Sequence, residues 1–451
     1  MSYSPQLVYF LDRMAGFSTN IFKLMPQGSP DGVGPGGITR FTLPANALLN
    51  TRSFKVHFKA KTTGVGARLP PDISQLVERV EISAGGVQLS QGTNFYNTLT
   101  MAKAALQGSR CDAISGHSEL VRTSKLDGST ALSGTGNETY SHNHPHVIDK
   151  WEGFLGTCEP KILDAAILPD LVVTLYWAAK EVLTSSKSAD TITNFLLVPQ
   201  TGSGASAVDT PTADYSLANL HATIETIGLA DSVYDNMVSS MIASKGYVEI
   251  PFKQYFSFSN THSGSSRFTV ATQSLDRIWM AWRKNGYQNL GAPKKVSGHI
   301  TTKDNANSPY GGMLGTQSEK YINPFHEFAQ PSAASGTNVT YQLQLNGAYY
   351  PQFPADDVQM YQISKNSLIG APKYELSYEQ YTKHYFVQCI RLNMPDSEFS
   401  RTLSGLDTRS VSLNGYVNTV NTANTTDNLT IFAETTSTLR VGAGRQLEVI
   451  I

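Results

Sequence analysis

Residues 79–89, RVEISAGGVQL, and residues 341–353, YQLQLNGAYYPQF, share one pattern: a strand-like run, a tight glycine turn and a returning strand. Each copy is followed by a segment with helical or aromatic spacing, FYNTLTMAKAAL in the first case and VQMYQISKNSL in the second. The two turn glycines, Gly86 and Gly347, are separated by more than half of the chain. This repetition indicates two similar β domains in tandem.

Short alternating runs recur along the chain, each ended by Gly, Pro, Asn or Asp, as in ITRFTL, SFKVHFKA, DLVVTLYW, YVEIPF and NLTIFAE. Period-two alternation bounded by turn residues indicates half-buried strands. Dipeptides that tolerate positive φ predict hairpin turns at Gly85-Gly86, Asn285-Gly286, Asn346-Gly347 and Asn414-Gly415. Helical periodicity is clearest at residues 5–14 and 94–106. Many short strands with few helices predict a sandwich or a barrel.

The composition of the 451 residues favours packed cores under a mildly polar surface. Hydrophobic residues make up 40% of the chain, whereas charged residues make up only 16%, against about 25% in an average domain. The net charge is −1 and no long run of Lys or Arg occurs. Direct binding to nucleic acid is therefore not expected, because a phosphate-neutralising arm would contain such a run.

Cysteine use and the N-terminal sequence predict where the protein is made. Cys111, Cys158 and Cys389 form neither a disulfide framework nor a CxxC metal site, so we expect buried free thiols from a reducing compartment. The opening MSYSPQLVYFLDRMAG lacks the basic segment and long apolar core of a signal peptide. No stretch reaches the ~18–20 apolar residues of a membrane-spanning helix. These features predict synthesis in the cytoplasm.

Three histidines alternate in the sequence SHNHPH, at His142, His144 and His146. On a strand this spacing would place three imidazoles, the commonest neutral metal ligands, on one face. Pro145 interrupts the run, and no nearby Cys or acid completes a set of ligands. A solvated loop is therefore favoured over a metal site.

No other motif predicts catalysis, a cofactor or a metal. The sequence has no G-x-S-x-G elbow, and the acid pair Asp356-Asp357 follows Pro354 in a predicted solvated turn. In RIWMAWRKNGY, residues 277–287, tryptophans lie beside basic residues that could stack on nucleic-acid bases. The run is too apolar for that role and predicts a buried core strand that ends in a polar turn.

The C-terminal sequence STLRVGAGRQLEVII is unusually apolar for a chain end, because termini are normally polar and poorly ordered. Its strand-like residues predict a closing strand that completes a sheet built by the rest of the chain. The residues of this predicted strand are Leu447, Val449, Ile450 and Ile451.

The N-terminal segment predicts a short amphipathic helix, in which Ser4 is the cap and Pro5 lies in the first turn. Four apolar residues at positions i, i+3, i+4 and i+7 form one face: Leu7, Phe10, Leu11 and Met14. A helix this short is marginal alone in water, so its apolar face needs a partner.

The order of these segments resembles that of the double jelly-roll major capsid proteins of icosahedral double-stranded-DNA viruses. The resemblance spans roughly residues 25–451 and lies in the order of segments, since no single motif is diagnostic. The start, FKLMPQG followed by GGITRFTLPANALLNTRSFKVHFKA, resembles most the capsid proteins of virophages and polinton-like viruses. The segments that carry the resemblance further along are HATIETIGLADSVYDNMV, YVEIPFKQYFSF, SSRFTVATQSLDRIWMAWRKNG, LNGAYYPQF, FVQCIRLNMPDSEFSRTLSGLDTRSVSLNG and NLTIFAETTSTLRVGAGRQLEVII.

The resemblance implies an all-β fold of two tandem eight-stranded jelly rolls, with short helices in loops and at the N-terminus. We expect an N-terminal arm at residues 1–24, a first jelly roll at 25–240 and a second at 241–451. The low-charge surface fits a structural protein rather than an enzyme. The alternatives are a trimeric β-rich spike or receptor-binding protein and a carbohydrate-active jelly-roll enzyme.

The resemblance also implies the partners of the chain. Three copies would form a homotrimeric, pseudo-hexagonal capsomer that contacts neighbouring capsomers, penton proteins and minor capsid proteins. An internal lipid membrane is an additional candidate partner. The protein would be made in the host cytoplasm and end in the virion, with no cofactor, no metal and no direct contact with nucleic acid. In such proteins the N-terminal arm lies under the shell, whereas packing on the base of its own first roll is the alternative.

Overall fold

A computed structural model of the chain describes residues 17–107, 146–185, 214–229, 246–284 and 328–368, most of 385–451, and a few residues between them, with short breaks inside several ranges. Antiparallel strands dominate the described chain. No helix in these residues is long and apolar enough to cross a membrane.

Eight of the described strands up to residue 229 form the main paths of two sheets, which we call the first roll, and the short strand Ile162–Asp164 adds a fifth strand to one sheet. The eight strands are β1 (Phe17–Leu24), β2 (Ile38–Thr42), β3 (Leu48–Thr63), β4 (Val77–Ala84), β5 (Val87–Ser90), β6 (His146–Ile148), β7 (Val172–Trp177) and β8 (Asp214–Leu229). The sheet orders are β1-β8-β3-β6 and β2-β7-β4-β5. Phe58 of one sheet meets Trp177 of the other edge to face at 5.5 Å between ring centroids, so the two sheets share a core.

Eight further strands form the second roll. They are β9 (Tyr247–Thr261), β10 (Ser265–Val270), β11 (Leu275–Arg283), β12 (Thr340–Leu345), β13 (Ala348–Ala355), β14 (Val387–Arg391), β15 (Leu413–Val420) and β16 (Asn428–Gly442). The sheet orders are β9-β16-β11-β14 and β10-β15-β12-β13. Trp282 and Tyr341, from opposite sheets, lie 6.0 Å apart. Counted from its own first strand, each sheet of this roll has the same order as its counterpart in the first roll.

The remaining described elements are short. The helices are α1 (Tyr96–Gln107), α2 (Phe154–Thr157) and α3 (Asp357–Asn366), with 3-10 turns at Ile73–Leu76, Lys180–Val182 and Ala443–Arg445. The minor strands are Ala67–Arg68, Ile162–Asp164, Thr184–Ser185, Lys294–Ser297 and Glu319–Ile322, and the last strand is β17 (Leu447–Ile450). The predicted N-terminal helix lies outside the described residues.

Two facing antiparallel sheets whose four main strands follow this order make a jelly roll, so the predicted all-β fold of two tandem jelly rolls is confirmed. The repeated sequence pattern occupies equivalent positions, because β4, β5 and α1 in the first roll correspond to β12, β13 and α3 in the second. The boundaries at residues 25–240 and 241–451 stay predictions. The last part of the expected N-terminal arm, residues 1–24, belongs to the first roll, because Phe17–Leu24 pairs with β8 as an edge strand.

Two predicted hairpin turns are confirmed, and a third is wrong. Gly85-Gly86 and Asn346-Gly347 join their strands with positive φ at all four residues, whereas Asn285-Gly286 lies outside the described residues. Asn414-Gly415 lies inside β15, where Gly415 pairs with Phe268 of β10. A Cβ on Gly415 would come within 2.2 Å of Cζ of Phe268. The glycine thus allows close approach of an aromatic ring, and not a turn.

The contact between Gly415 and Phe268 predicts a measurable cost of adding one methyl group. Gly415→Ala should lower the free energy of unfolding by about 1–3 kcal/mol, because the ring has to move or the strands have to separate. Urea denaturation measures this change. The matched control is the same substitution in a Phe268→Ala background, where it should cost much less. An equal cost in both backgrounds would contradict this assignment.

Candidate functional site at the junction of the two rolls

The edge of β9 is covered by the first roll. The backbone N–H of Glu159 donates to the carbonyl of Pro251 at 3.0 Å. The N–H of Lys253 donates to Oγ1 of Thr157 at 2.9 Å. These bonds satisfy backbone groups on a strand edge that would otherwise attract another strand. The junction between the rolls therefore begins with two hydrogen bonds to the backbone of β9, one from a main-chain N–H and one to a threonine hydroxyl.

Aromatic packing extends the same contact. Phe154 of α2 and Phe252 of β9 meet edge to face, with ring centroids 5.1 Å apart. Both side chains are buried. Such pairs add about 0.5–1.5 kcal/mol to the free energy gained from burial alone. The short α2 helix thus packs against the second roll through the Phe154 ring.

Tyr255 of β9 connects the second roll to α1 of the first. Its phenol lies 3.1 Å from Nζ of Lys103 and donates to the carboxylate of Glu152 at 3.2 Å. Its carbonyl accepts from Oγ1 of Thr93 at 3.2 Å. Burial raises the pKa of Tyr255 well above its ordinary value, and the carboxylates of Glu434 and Glu152 raise it further. The phenol therefore stays protonated and acts as a hydrogen-bond donor.

Glu434 of β16 is a carboxylate buried at the junction, with 3% of its surface exposed. It accepts from the Arg277 guanidinium at 2.8 Å and from the Trp279 indole at 2.9 Å. Burial alone would raise its pKa. The charges of Arg277, Lys103 and Lys253, together with the indole hydrogen bond, outweigh that effect and lower the pKa of Glu434. Lys103 comes from the first roll, so both rolls keep this carboxylate ionised.

Asp276 makes a second buried ion pair beside Glu434. Its carboxylate accepts from Nζ of Lys253 at 2.7 Å, from Oγ1 of Thr436 at 2.5 Å and from Oγ of Ser274 at 2.9 Å. Three donors on one buried carboxylate fix the side chain of Lys253. The backbone of the same lysine bonds to the first roll, so this ion pair stiffens the contact segment of β9.

Arg283, at the end of β11, is 2% exposed and points towards the first roll. Its NH1 group donates to Oγ1 of Thr98 in α1 at 2.9 Å. Its guanidinium carbon lies 4.7 Å from the ring centroid of Tyr287 and 4.9 Å from those of Phe325 and Phe328. Arg283 therefore joins an aromatic cluster of the second roll to a helix of the first through cation–π contacts and one hydrogen bond.

The carboxylates of the junction are paired, and two of the cysteines are buried. Each junction carboxylate described above is bonded to a cation, and the described residues contain no group of three metal-ligating side chains. Burial raises the pKa of Cys158 to about 11 and also raises that of Cys389, so neither thiol is an activated nucleophile. These two cysteines are buried and free, as predicted, whereas Cys111 lies outside the described residues.

The structure places the apolar C-terminal residues at the same junction. Leu447, Val449 and Ile450 lie in β17, which pairs antiparallel with Thr438–Val441 of β16 and contacts β5 of the first roll. Ile451 follows the strand, and its carbonyl accepts from the N–H of Gln273 at 2.9 Å. Leu447 and Val449 pack against the core as partly buried side chains.

The remaining candidate residues are the predicted N-terminal helix face and the three alternating histidines. The apolar face predicted for the N-terminal helix lies outside the described residues, as do two of the three alternating histidines. The solvated loop expected for the third, His146, is wrong: it lies in β6, is 3% exposed and packs 5.8 Å from the Phe58 ring. Pairing of Phe58 with His146 places the imidazole in the core. The residues outside the described chain are Leu7, Phe10, Leu11, Met14, His142 and His144.

The acid pair Asp356-Asp357 does not form the solvated turn that we expected. Asp356 caps α3, because its side chain accepts from the N–H of Gln359 at 2.8 Å and the Gln359 side chain accepts from the Asp356 N–H at 3.1 Å. Asp357 opens the helix and accepts from the Tyr378 hydroxyl. This capping box is structural.

Sequence reasoning identified β11 as a buried strand, which the structure confirms, but missed the charged residues of the junction. A polar turn was expected where the strand ends at Arg283, yet Arg283 is buried, as is Arg277. The sequence signal for these buried charges is Glu434, a single acid at the end of the apolar run NLTIFAE in β16. A lone charge at a buried strand position predicts a partner of opposite charge, although the sequence does not reveal which one.

No family model and no curated protein matches the sequence. Solved structures match over nearly its whole length. VP54 of PBCV-1, fitted into a reconstruction of the virophage Sputnik, is 14% identical, with 98% of each chain covered and a TM-score of 0.54. The PBCV-1 virus capsid chain is 14% identical, with 97% of this chain and 98% of its own covered and a TM-score of 0.51.

The Faustovirus major capsid protein matches in the same way. It is 9% identical, with 95% of this chain and 91% of its own covered and a TM-score of 0.51. At these identities the matches show a common fold. The chain therefore has the double jelly-roll fold of these capsid proteins along nearly its full length.

Because Glu434 and Arg277 form a buried ion pair, we expect a substitution at Glu434 to lower stability much more than a substitution in an exposed ion pair. Glu434→Leu should lower the free energy of unfolding by about 3–5 kcal/mol, because it leaves a buried guanidinium without its carboxylate. The matched control is Glu249→Leu, which removes the exposed partner of Arg440 and should change stability little. Urea denaturation compares the two variants. Equal effects would contradict the role given to the junction pair.

Proposed function

We propose that the chain is a major capsid protein, whose mechanism is assembly and not chemistry. The observation that supports this proposal is the double jelly roll itself, which extends over nearly the full length of this chain and of the capsid proteins it matches. The paired and buried charges of the junction support a structural role in the same way. The protein would be a component of the virion, made in the host cytoplasm.

Three copies form a homotrimer with six rolls and a pseudo-hexagonal outline in this proposal. A trimer of this kind needs the two rolls of one chain in a fixed relation, and the junction between β9, α1 and α2 supplies it. Each contact between subunits must bury more than about 1,000 Å² to be specific. The low charged fraction of 16% reduces the desolvation cost of such contacts.

The partners of the capsomer follow from the same proposal. They are neighbouring capsomers, penton proteins and minor capsid proteins, with an internal lipid membrane as an additional candidate. The N-terminal segment, with the apolar face Leu7, Phe10, Leu11 and Met14, would act as a clamp under the shell. The closing strand Leu447–Ile450, with Ile451, would complete the second roll and seal its contact with the first.

The oligomeric state tests the proposed function. The purified protein should have a mass near three times 49.1 kDa, because each subunit of a capsomer is stabilised by its two neighbours. Light scattering behind a sizing column measures this mass over the micromolar range. A monomer at every concentration would contradict the proposal.

The clamp is tested by deletion of residues 1–16, which ends before β1. The trimer should keep its normal melting temperature, because the described strands and cores lie outside the deleted segment, but it should no longer form closed shells. Differential scanning calorimetry and electron microscopy of assembly reactions measure the two properties. An unfolded or dissociated trimer would assign the segment to the subunit core and contradict the clamp.

A further inference from the structure

The junction joins one surface of each roll, and both surfaces have counterparts elsewhere in the same chain. The first roll contributes α1, which follows the edge strand β5, and the second roll contributes β9. In the sheet orders, β13 holds the position of β5, and β1 holds the position of β9. α3 follows β13 as α1 follows β5. Each chain therefore carries a counterpart of both surfaces, one at β13 and α3 and one at β1.

The surfaces at the junction are covered, whereas their counterparts are exposed. Residues 96–99, the first turn of α1, are all buried, so the helix is covered there on every side. In the first turn of α3, residues 357–360, Met360 alone is buried. The strands differ in the same way, because Phe252 and Tyr255 of β9 are buried but residues 18–23 of β1 are all exposed. The contacts between the rolls account for this difference.

Both counterparts expose large apolar side chains. We call Ile21, Phe22 and Met25, at β1, the β1 flank, and we call Tyr349, Phe353 and Val358, on β13 and α3, the β13 flank. These six side chains are 42–70% exposed. β1 and β13 are edge strands, and apolar side chains exposed at a strand edge favour contact with another protein surface.

The sequence of β13 indicates how this contact is made. Pro351 and Pro354 lie in the strand and lack the N–H groups that a neighbouring strand would bind. A partner therefore packs on the side chains of β13 and does not extend its sheet. The junction has the same character, because helices of the first roll cover β9 through the Phe154 ring and the Lys103 ammonium.

We propose that the β13 flank of one copy packs against the β1 flank of a second copy. This contact repeats, between chains, the contact that joins the two rolls within a chain, and it rests on the capsid function proposed above. The internal repeat argues for this occupant, because each chain carries both halves of the contact and leaves both exposed. Two different surfaces meet, so the contact is heterologous and closes into a ring when the rotation between partners permits. Three chains then make three contacts within chains and three between them.

The first test places a charge on each flank. Ile21→Glu and Phe353→Glu should each raise the protein concentration that gives half-maximal trimer about tenfold or more, because each buries a carboxylate without a partner. The matched control is Val420→Glu, which adds the same charge at a side chain that is 57% exposed outside both flanks. This control should assemble as the wild type does. Sedimentation velocity measures the trimer, and urea denaturation verifies that all three variants are folded.

The second test detects which surfaces meet and needs no destabilising change. Ile21→Cys, Phe353→Cys and the double variant are treated with a bifunctional maleimide on a Cys111→Ser background, in which Cys158 and Cys389 are buried. The double variant should give covalent trimers on a denaturing gel. Each single variant should stay monomeric on the same gel, because neither flank meets itself.

The outcomes separate this inference from the proposed function. Normal trimers of both charged variants, with no crosslinked trimer of the double cysteine variant, would overturn the inference, because other surfaces would then hold the trimer of the proposed function. Crosslinking of a single cysteine variant would also overturn it, since like flanks would then meet. A large loss of unfolding free energy in Ile21→Glu would show that the chain covers its own β1 flank. A wild-type monomer would remove the proposed function and this inference together.

Discussion

The structure depends on keeping a buried carboxylate ionised between two domains. Glu434 is 3% exposed, and isolated burial of a carboxylate is prohibitively unfavourable. Arg277 compensates its charge from within the second roll, and Lys103 contributes from the first. The charge of a carboxylate in the second roll is thus stabilised partly by a lysine of the first roll. The Pro251 carbonyl accepts from the N–H of Glu159, and the N–H of Lys253 donates to Oγ1 of Thr157. These bonds add a geometric constraint to the electrostatic one.

The charges and hydrogen bonds of the junction hold the two sandwiches together as one unit. Each roll packs its own two sheets together, and Phe154 of the first is buried against Phe252 of the second. The proposed capsomer needs a fixed angle between the rolls. A purely apolar contact fixes this angle poorly, because hydrophobic attraction is non-directional. The hydrogen bonds that cross the junction are directional: Tyr255 donates to Glu152, Lys253 to Thr157 and Arg283 to Thr98. In the capsid function proposed above, the junction would connect the fold of one chain to the geometry of the capsomer.

The sequence predicts features whose cause is local and misses those whose cause is tertiary. Period-two alternation predicted the strands, and two hairpin dipeptides were placed correctly because positive φ is a local requirement. Asn414-Gly415 was misassigned as a turn, because Gly415 lies in a strand and leaves space for the Phe268 ring of the neighbouring strand. Glu434 and Arg283 were missed because a buried charge is recognised only by its partner.

The central claim is that the junction holds the two rolls in one fixed relation. Spin labels at Ile38→Cys in the first roll and Val420→Cys in the second report the distance between them, since both positions are exposed. Double electron–electron resonance on a Cys111→Ser background, diluted with unlabelled chain, measures that distance within one subunit. The account predicts a single narrow distribution. A broad or multimodal distribution would show that the rolls move independently and would contradict it.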